Sequence, residues 1–178
     1  RMTLEMFLDQ SIFQFFHGFA GQSRLLDWFF VFCAEYLGYF LIAGFIVLLW
    51  REKNFQKRTR GIFLVVLSVV LSSGLIKEIV RFFYNRPRPF EVLPITPLFS
   101  HDPGAALPSG HATFYFALAI AIFSMNWRWG VYFLAAAFFI SISRVIAGVH
   151  WPLDILAGTA AGFLGFFVAK YLLAYLKA

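Results

Sequence analysis

Residues 129–154, WGVYFLAAAFFISISRVIAGVHWPLD, decide how the chain is read. An apolar run from Trp129 to about Ile146 is long enough to cross a bilayer, and it takes on Ser143 and Arg144 as it ends. His150 and Asp154 then flank the start of the next apolar run, Leu153 to about Tyr175. Charged groups at the boundary of two such runs are costly to desolvate, so they are not incidental. The rest of the chain is equally apolar: 61% of its 178 residues are hydrophobic, 25 are Phe, and the mean hydropathy is +0.75. A soluble domain averages roughly 45–50% apolar residues, so this composition predicts an all-α, polytopic membrane helical bundle of five to six transmembrane helices.

Working outward, further apolar runs extend from Trp28 to Trp50, from Gly61 to about Val80, and from Ala112 to Trp127. With the two above they make five expected spans, the Ala112 run extending back into Ser109-Gly110-His111 and Arg128 marking a tight turn. The proline-rich stretch from Tyr84 to Pro108 is too irregular to face lipid, because its backbone groups need water or protein partners. Residues 1–178 form one expected domain, with 1–24 as an N-terminal segment and 61–175 as the core that carries the polar clusters. Thr3 to Phe19 places Leu4, Phe7, Leu8, Ile12, Phe15, Phe16 and Phe19 at helical spacing among Glu5, Asp9, Gln10 and Gln14. The expectation is an amphipathic helix lying in the membrane interface; the alternative is the polar-faced opening of the bundle. The pattern of a cleavable signal peptide is not present, and no internal repeat supports a transporter of inverted halves.

Charge sets the expected topology. Arg51, Lys53, Lys57, Arg58 and Arg60 lie between the first two spans, and Arg128 between the third and fourth, so these loops and Lys177 are assigned to the cytoplasm. Parity then puts the Tyr84–Pro108 stretch, the Gly148–Pro152 turn and the N-terminal helix on the outer side. The net charge of +6 has no aromatic-basic platform behind it, which argues against nucleic acid and for anionic lipid in a bilayer. Cys33, the single cysteine, lies inside an apolar run and reads as a small core residue. Nothing in the pattern specifies an oligomeric state.

Three polar clusters therefore meet at one membrane face: Arg81 to Pro89, Pro108 to His111, and Ser143-Arg144 with His150 and Asp154. His150 and Asp154 are four residues apart, and Pro152 suits a first helical turn, so the carboxylate reaches back to the imidazole. A carboxylate on one ring nitrogen fixes the tautomer and leaves the other nitrogen free to attack. Plain capping of the last span is the alternative for an isolated pair. Arg144 shifts that balance, since a planar guanidinium matches phosphate oxygens. Pro108-Ser109-Gly110-His111 opens a span, so the N–H groups of Ser109 and Gly110 face whatever lies beyond the helix N-terminus, where an anion is favoured; an ordinary cap by Ser109 is the alternative. His111 stands beside that anion as a candidate general acid. Arg81 and Arg88 complete a phosphate clamp, with Arg88 stiffened inside Arg86-Pro87-Arg88-Pro89.

Arranged in this way, the residues resemble the type 2 phosphatidic acid phosphatase superfamily. Its pattern is a basic residue, six others, Arg-Pro, then Pro-Ser-Gly-His, then Ser-Arg, five others, His, three others and Asp; Arg81, Arg88-Pro89, Pro108 to His111, Ser143-Arg144, His150 and Asp154 occupy it. One departure is Arg81, where the family usually has lysine; Lys77, one turn earlier, is either a spectator or a partial substitute. The resemblance implies a metal-independent, cofactor-free phosphatase. It makes His150 the nucleophile, Asp154 its orienting partner and His111 the acid, with Arg81, Arg88, Arg144, Ser109 and Gly110 binding phosphoryl oxygens. The family also contains soluble haloperoxidases, but five spans favour a lipid. Bacterial members of this size act on undecaprenyl diphosphate, phosphatidylglycerophosphate or lipid A phosphates, implying an inner-membrane enzyme with an outward-facing site. His17-Gly18, Leu26-Asp27 and Glu35-Tyr36 look like the small undecaprenyl-diphosphate phosphatases.

Other readings stand beside this one. Glu35 is mid-span, either a functional carboxylate or one bonded to a neighbouring helix. Glu78 is expected to pair with Lys77. His101 and Asp102 either touch a headgroup or are solvated loop residues. Phe82, Phe83, Phe90, Phe114 and Tyr115 line a lipid access route or are boundary aromatics. A protein that binds or moves anionic lipid without chemistry would use the same arginines, but would not need the His150–Asp154 pair beside a second histidine. A purely structural bundle leaves all three polar clusters uncompensated.

Overall fold

A computed structural model of the chain describes residues 4–175. Thr3 and Lys177 of the expectations above lie outside the described residues. Those described form helices and connecting loops: α1 (Leu4–His17), α2 (Arg24–Arg51), α3 (Phe55–Phe83), a single turn α4 (Pro89–Val92), α5 (Gly110–Met125), α6 (Trp127–Ile146) and α7 (Pro152–Tyr175). Four of them, α2, α3, α6 and α7, are long and apolar enough to cross a membrane, and α5 is a shorter apolar helix. The five apolar runs thus each become a helix, with shifted limits. α3 starts at Phe55 rather than Gly61 because Asn54 accepts a hydrogen bond from the Lys57 N–H (2.9 Å) and caps a basic turn of good helix formers. Hydropathy reports where lipid contact begins, not where a helix does.

The short helix is the central one. At 16 residues α5 is about 24 Å long, and it packs against α3, α6 and α7. Ala112, Ala117, Ala119 and Ala121 are fully buried, which lets the neighbouring helices come close. On α7 the matching surface is Gly158 and Gly162: a Cβ at Gly158 would lie 2.8 Å from both Ala112 Cβ and the Ser109 carbonyl oxygen, and one at Gly162 would lie 2.8 Å from the Thr113 carbonyl oxygen. Without a hydrophobic drive between helices in lipid, such backbone proximity supplies the packing. It also ties the α5–α7 crossing to the Pro108–His111 cluster.

Large apolar side chains such as Trp28, Phe63, Phe138 and Phe167 face outward over the bundle, as a lipid-exposed surface requires. Cys33 is buried, as expected of a small core residue. The first helix departs from the amphipathic division expected of it. Asp9, assigned to the wet face, is buried, whereas Phe7 and Phe15 are exposed. Phe13 packs on Trp151, His17 Nδ1 lies 2.8 Å from the Ile146 carbonyl oxygen, and Asp9 Oδ1 accepts from the Leu153 N–H at 2.9 Å. α1 is therefore docked on the ends of α6 and α7. The N–H groups in the first turn of α7 have no partners within their own helix, and the helix dipole favours a carboxylate there.

Candidate active site

The ends of α3, α5, α6 and α7 and the loop after α3 bring the three sequence clusters together. α6 carries Arg144 and closes at Ala147; Gly148 follows at φ +83°, a left-handed conformation suited to glycine, and the Val149 N–H bonds back to the Arg144 carbonyl (3.1 Å). This turn delivers His150 immediately before Pro152 starts α7. Asp154 lies one turn in, fully buried, where its Oδ2 accepts from the Trp151 N–H (2.8 Å) and lies 3.3 Å from His150 Nδ1. On the other side of the ring, Arg88 Nη1 lies 3.2 Å from His150 Nε2 and donates to the Val149 carbonyl at 3.0 Å. With Asp154 ionised, Nδ1 carries the ring proton and Nε2 keeps its lone pair. The expectation of a wholly free second nitrogen is thus amended: Nε2 accepts from Arg88.

Burial first, and then the charges of Arg88, Arg144, His101 and Arg81, hold the His150 imidazole well below its usual pKa. The ring is neutral at ordinary pH, which is the form that carries a nucleophilic lone pair. All three arginines of the expected clamp therefore bear on this histidine. Arg144, almost wholly buried, donates through Nη1 to the Ala34 carbonyl oxygen (2.9 Å), with Glu35 Oε1 at 3.7 Å. Ala34 and Glu35 belong to a π-helical segment of α2, Phe32–Tyr36, whose wider turn re-aims the backbone carbonyls. Arg81 donates through Nη2 to the Pro108 carbonyl (3.2 Å) and approaches Gly110 to 3.8 Å from a built Cβ. Arg81, Arg88 and Arg144 each retain a buried Nε–H with no hydrogen-bond partner among the described residues. Three uncompensated donors on three cations fit an anion with several oxygens.

Ser109 caps α5 by accepting from the Ala112 N–H, but its own N–H donates to the Asp154 backbone carbonyl at 3.0 Å. The expectation that this N–H faces an anion is corrected: the α5–α7 contact uses it, and Ser109 keeps its hydroxyl hydrogen as the donor it can offer. Gly110 begins the helix beside Arg81 and Lys77, and Lys77 pairs with Glu78 at 2.8 Å, as expected of that couple. His111 lies on a cleft of about 370 Å³ shared with Glu35, Ser100, His101, Asp102 and Arg144. No cluster of His, Cys, Asp and Glu suited to a metal ion occurs among the described residues.

Three contributors were not singled out from the sequence. Arg86, read only as part of a stiff turn, bonds Asp154 Oδ1 through Nη1 (3.1 Å), pairs through Nη2 with Asp9, and lies over the Trp151 ring. Asp9, on the first helix, is thereby a neighbour of the His150–Asp154 pair at one remove. Phe99 covers the Arg144 guanidinium at 5.5 Å. Only the spacing of Arg86 two residues before Arg88 could have flagged it; Asp9 and Phe99 carry no sequence signal, because their partners are distant in the chain. His101, left open above, stands edge-on to the His150 ring at 6.3 Å, and burial followed by Arg88 and Arg144 lowers its pKa to about 4.

Comparison with known proteins gives a consistent result. The sequence model of the PAP2 superfamily matches residues 61–178. A Bacillus licheniformis protein named bacitracin transport permease protein BcrC is 31% identical over 158 residues, spanning 88% of this chain and 76% of that protein. Undecaprenyl-diphosphatase BcrC of Bacillus subtilis is 28% identical over 168 residues, spanning 92% and 84%. The crystal structure of Aquifex aeolicus LpxE superposes with a TM-score of 0.76 at 25% identity, covering 92% of this chain and 95% of that one.

Proposed function

The chain belongs to the PAP2 superfamily and is a multi-pass membrane lipid phosphatase, and we propose that it hydrolyses undecaprenyl diphosphate to undecaprenyl phosphate through a phosphohistidine on His150. The observation that carries the mechanism is the His150 ring held between Asp154 at Nδ1 and Arg88 at Nε2, beside three arginines with unpartnered donors. Arg88 releases Nε2 to bond a phosphoryl oxygen, and Arg81 and Arg144 take the others. The Nε2 lone pair attacks the terminal phosphorus as the bond to the bridging oxygen breaks. The negative charge of the bound diphosphate favours protonation of His111, which gives its proton to that oxygen, and polyprenyl phosphate leaves. Asp154 stabilises the positive charge on the ring through Nδ1–H, and the arginines stabilise the spreading phosphoryl charge. Water, losing a proton to His111, then attacks phosphorus, frees inorganic phosphate and regenerates neutral His150.

The choice of substrate rests on the Bacillus subtilis relative, whose match spans most of both chains, and on the cleft that lies between Glu35 and His111. The basic α2–α3 loop favours the cytoplasmic side, which supports a site on the outer side of the bacterial cytoplasmic membrane. Phosphate release from undecaprenyl diphosphate, phosphatidylglycerophosphate and lipid A, measured with chelator present, tests the substrate. Fastest turnover of undecaprenyl diphosphate is expected, and a preference for either of the others overturns that choice. Rapid quenching with labelled substrate tests the intermediate: an acid-labile, base-stable label on wild type that His150→Ala lacks is expected, and burst turnover with no such label rejects it.

A further inference from the structure

At the end of the bundle remote from His150, a second cavity of about 460 Å³ opens between the C-terminal turns of α2, α5 and α7 and the N-terminal turns of α3. Four cations stand on its wall: Lys57, Arg58, Arg60 and Lys170. They come from two helices far apart in sequence, so only the fold gathers them. The one carboxylate among the lining residues, Glu52, is engaged by the Asn54 N–H at 2.9 Å. None of the four cations has an ion-pair partner among the described residues, in contrast to Lys77, Arg86 and Arg144. The rest of the lining is mainly apolar, with Phe45, Leu48, Leu64, Ile122 and Leu173 beside the polar Ser124 and Asn126. Asn54 caps α3 at its rim, which adds the positive end of a helix dipole to the same place.

We infer that this cavity is a binding site for an anionic phospholipid, its phosphate held by Lys57, Arg58, Arg60 and Lys170 and the start of an acyl chain lying on the apolar wall. Charge and shape argue together. Cations without ion-pair partners at the mouth of an interhelical cavity attract an anionic headgroup near a membrane surface, and an apolar wall suits a lipid tail rather than a free anion. The catalytic groups lie at the opposite ends of the same helices, so the site is separate from the chemistry and does not depend on the choice of substrate. Its lipid bridges α2, α3, α5 and α7, clamping the helices that also carry Glu35, Arg81, His111 and Asp154.

The test uses the full chain in nanodiscs of phosphatidylcholine with or without phosphatidylglycerol, with lipid retention read by native mass spectrometry and Tm by thermal unfolding. It is run on wild type and on Arg88→Ala, so that lipid in the catalytic site is told apart. Retained phosphatidylglycerol and a raised Tm are expected in both. Arg58→Glu with Lys170→Glu removes the charge, and Ser124→Trp fills the cavity while keeping all four cations; both are expected to lose that retained lipid. Soluble glycerol 3-phosphate is expected not to displace it. Equal retention of phosphatidylcholine, full displacement by glycerol 3-phosphate, or unchanged retention in either folded variant overturns the inference.

Discussion

At one end of the bundle Arg86, Arg88 and Arg144 are shielded from solvent and tied to specific acceptors, whereas at the other Lys57, Arg60 and Lys170 stand exposed with no ion-pair partner among the described residues. The difference shows two uses of positive charge in one membrane protein. Buried guanidiniums are costly to desolvate, and each is retained by a carbonyl or carboxylate that fixes its direction, which is the preorganisation a transition state needs. Exposed ammonium and guanidinium groups act together as a diffuse attraction, and no single one of them decides geometry.

This contrast predicts a graded set of outcomes. The largest falls on the proposed nucleophile: His150→Ala is expected to lower kcat/KM by ~10³-fold or more while the protein stays folded, measured as phosphate release after size-exclusion in detergent. A loss below tenfold would move the chemistry elsewhere. Next comes Arg88, where Arg88→Lys keeps the charge but loses the fork, with an expected loss of roughly 10²–10³-fold. The two Arg88 variants also sharpen the pH behaviour. Because surrounding cations help hold His150 below its usual pKa, the acid limb of kcat/KM due to this group lies below the pH of a free imidazole. Removing the cation in Arg88→Ala raises the His150 pKa and moves the limb to higher pH, whereas Arg88→Lys leaves it near the wild-type position. The stability consequence has the same sign: the unfolded histidine takes up a proton first, so stability falls as pH drops through about 6.5 toward the folded pKa.

A smaller effect is expected from packing beneath the site. Gly158→Val pushes α7 off Ala112 and the Ser109 carbonyl, with a loss of about 1–3 kcal/mol in stability and a fall in kcat out of proportion to KM, read by thermal unfolding and kinetics. Arg86→Gln and Asp9→Asn probe the link from the first helix. Each is expected to reduce activity by about tenfold, and the double variant no more than the worse single one, because both act through Asp154. Additive losses would separate α1 from the site. The smallest effect is reserved for the other end, where Arg60→Ala is expected to change kcat/KM for a detergent-solubilised substrate by less than about twofold.

The two ends also differ in how much could be read in advance. The motif residues Arg81, Arg88, His111, Arg144, His150 and Asp154 are visible because ionisable groups in apolar surroundings are costly, and because their spacing places each at a helix end. The π-helical turn at Phe32–Tyr36 and the burial of Asp9 are not visible. A carbonyl turned toward Arg144 has no side-chain signature, and an aspartate on a short helix has the same pattern whether it faces water or an arginine 77 residues away. Ser109 is a case in which local logic gave a sound cap and a wrong direction: its N–H is claimed by Asp154 from another helix.

By itself the sequence determined that this chain lives in a membrane as helices and that its apolar runs alternate with polar clusters, whose residues and spacing resemble the pattern of the PAP2 superfamily. The helices and the alternation follow from composition and from periodicity along the chain, which are local quantities; the family rests on the resemblance. Only the tertiary structure decided that the shortest apolar run is the central helix, that Arg86 links Asp9 to Asp154, that Arg88 lies against His150 Nε2, and that Lys170 joins Lys57, Arg58 and Arg60 around one cavity. Each of these depends on which helices approach closely enough to share polar partners, and that is set by glycine and alanine contacts between surfaces far apart in the chain.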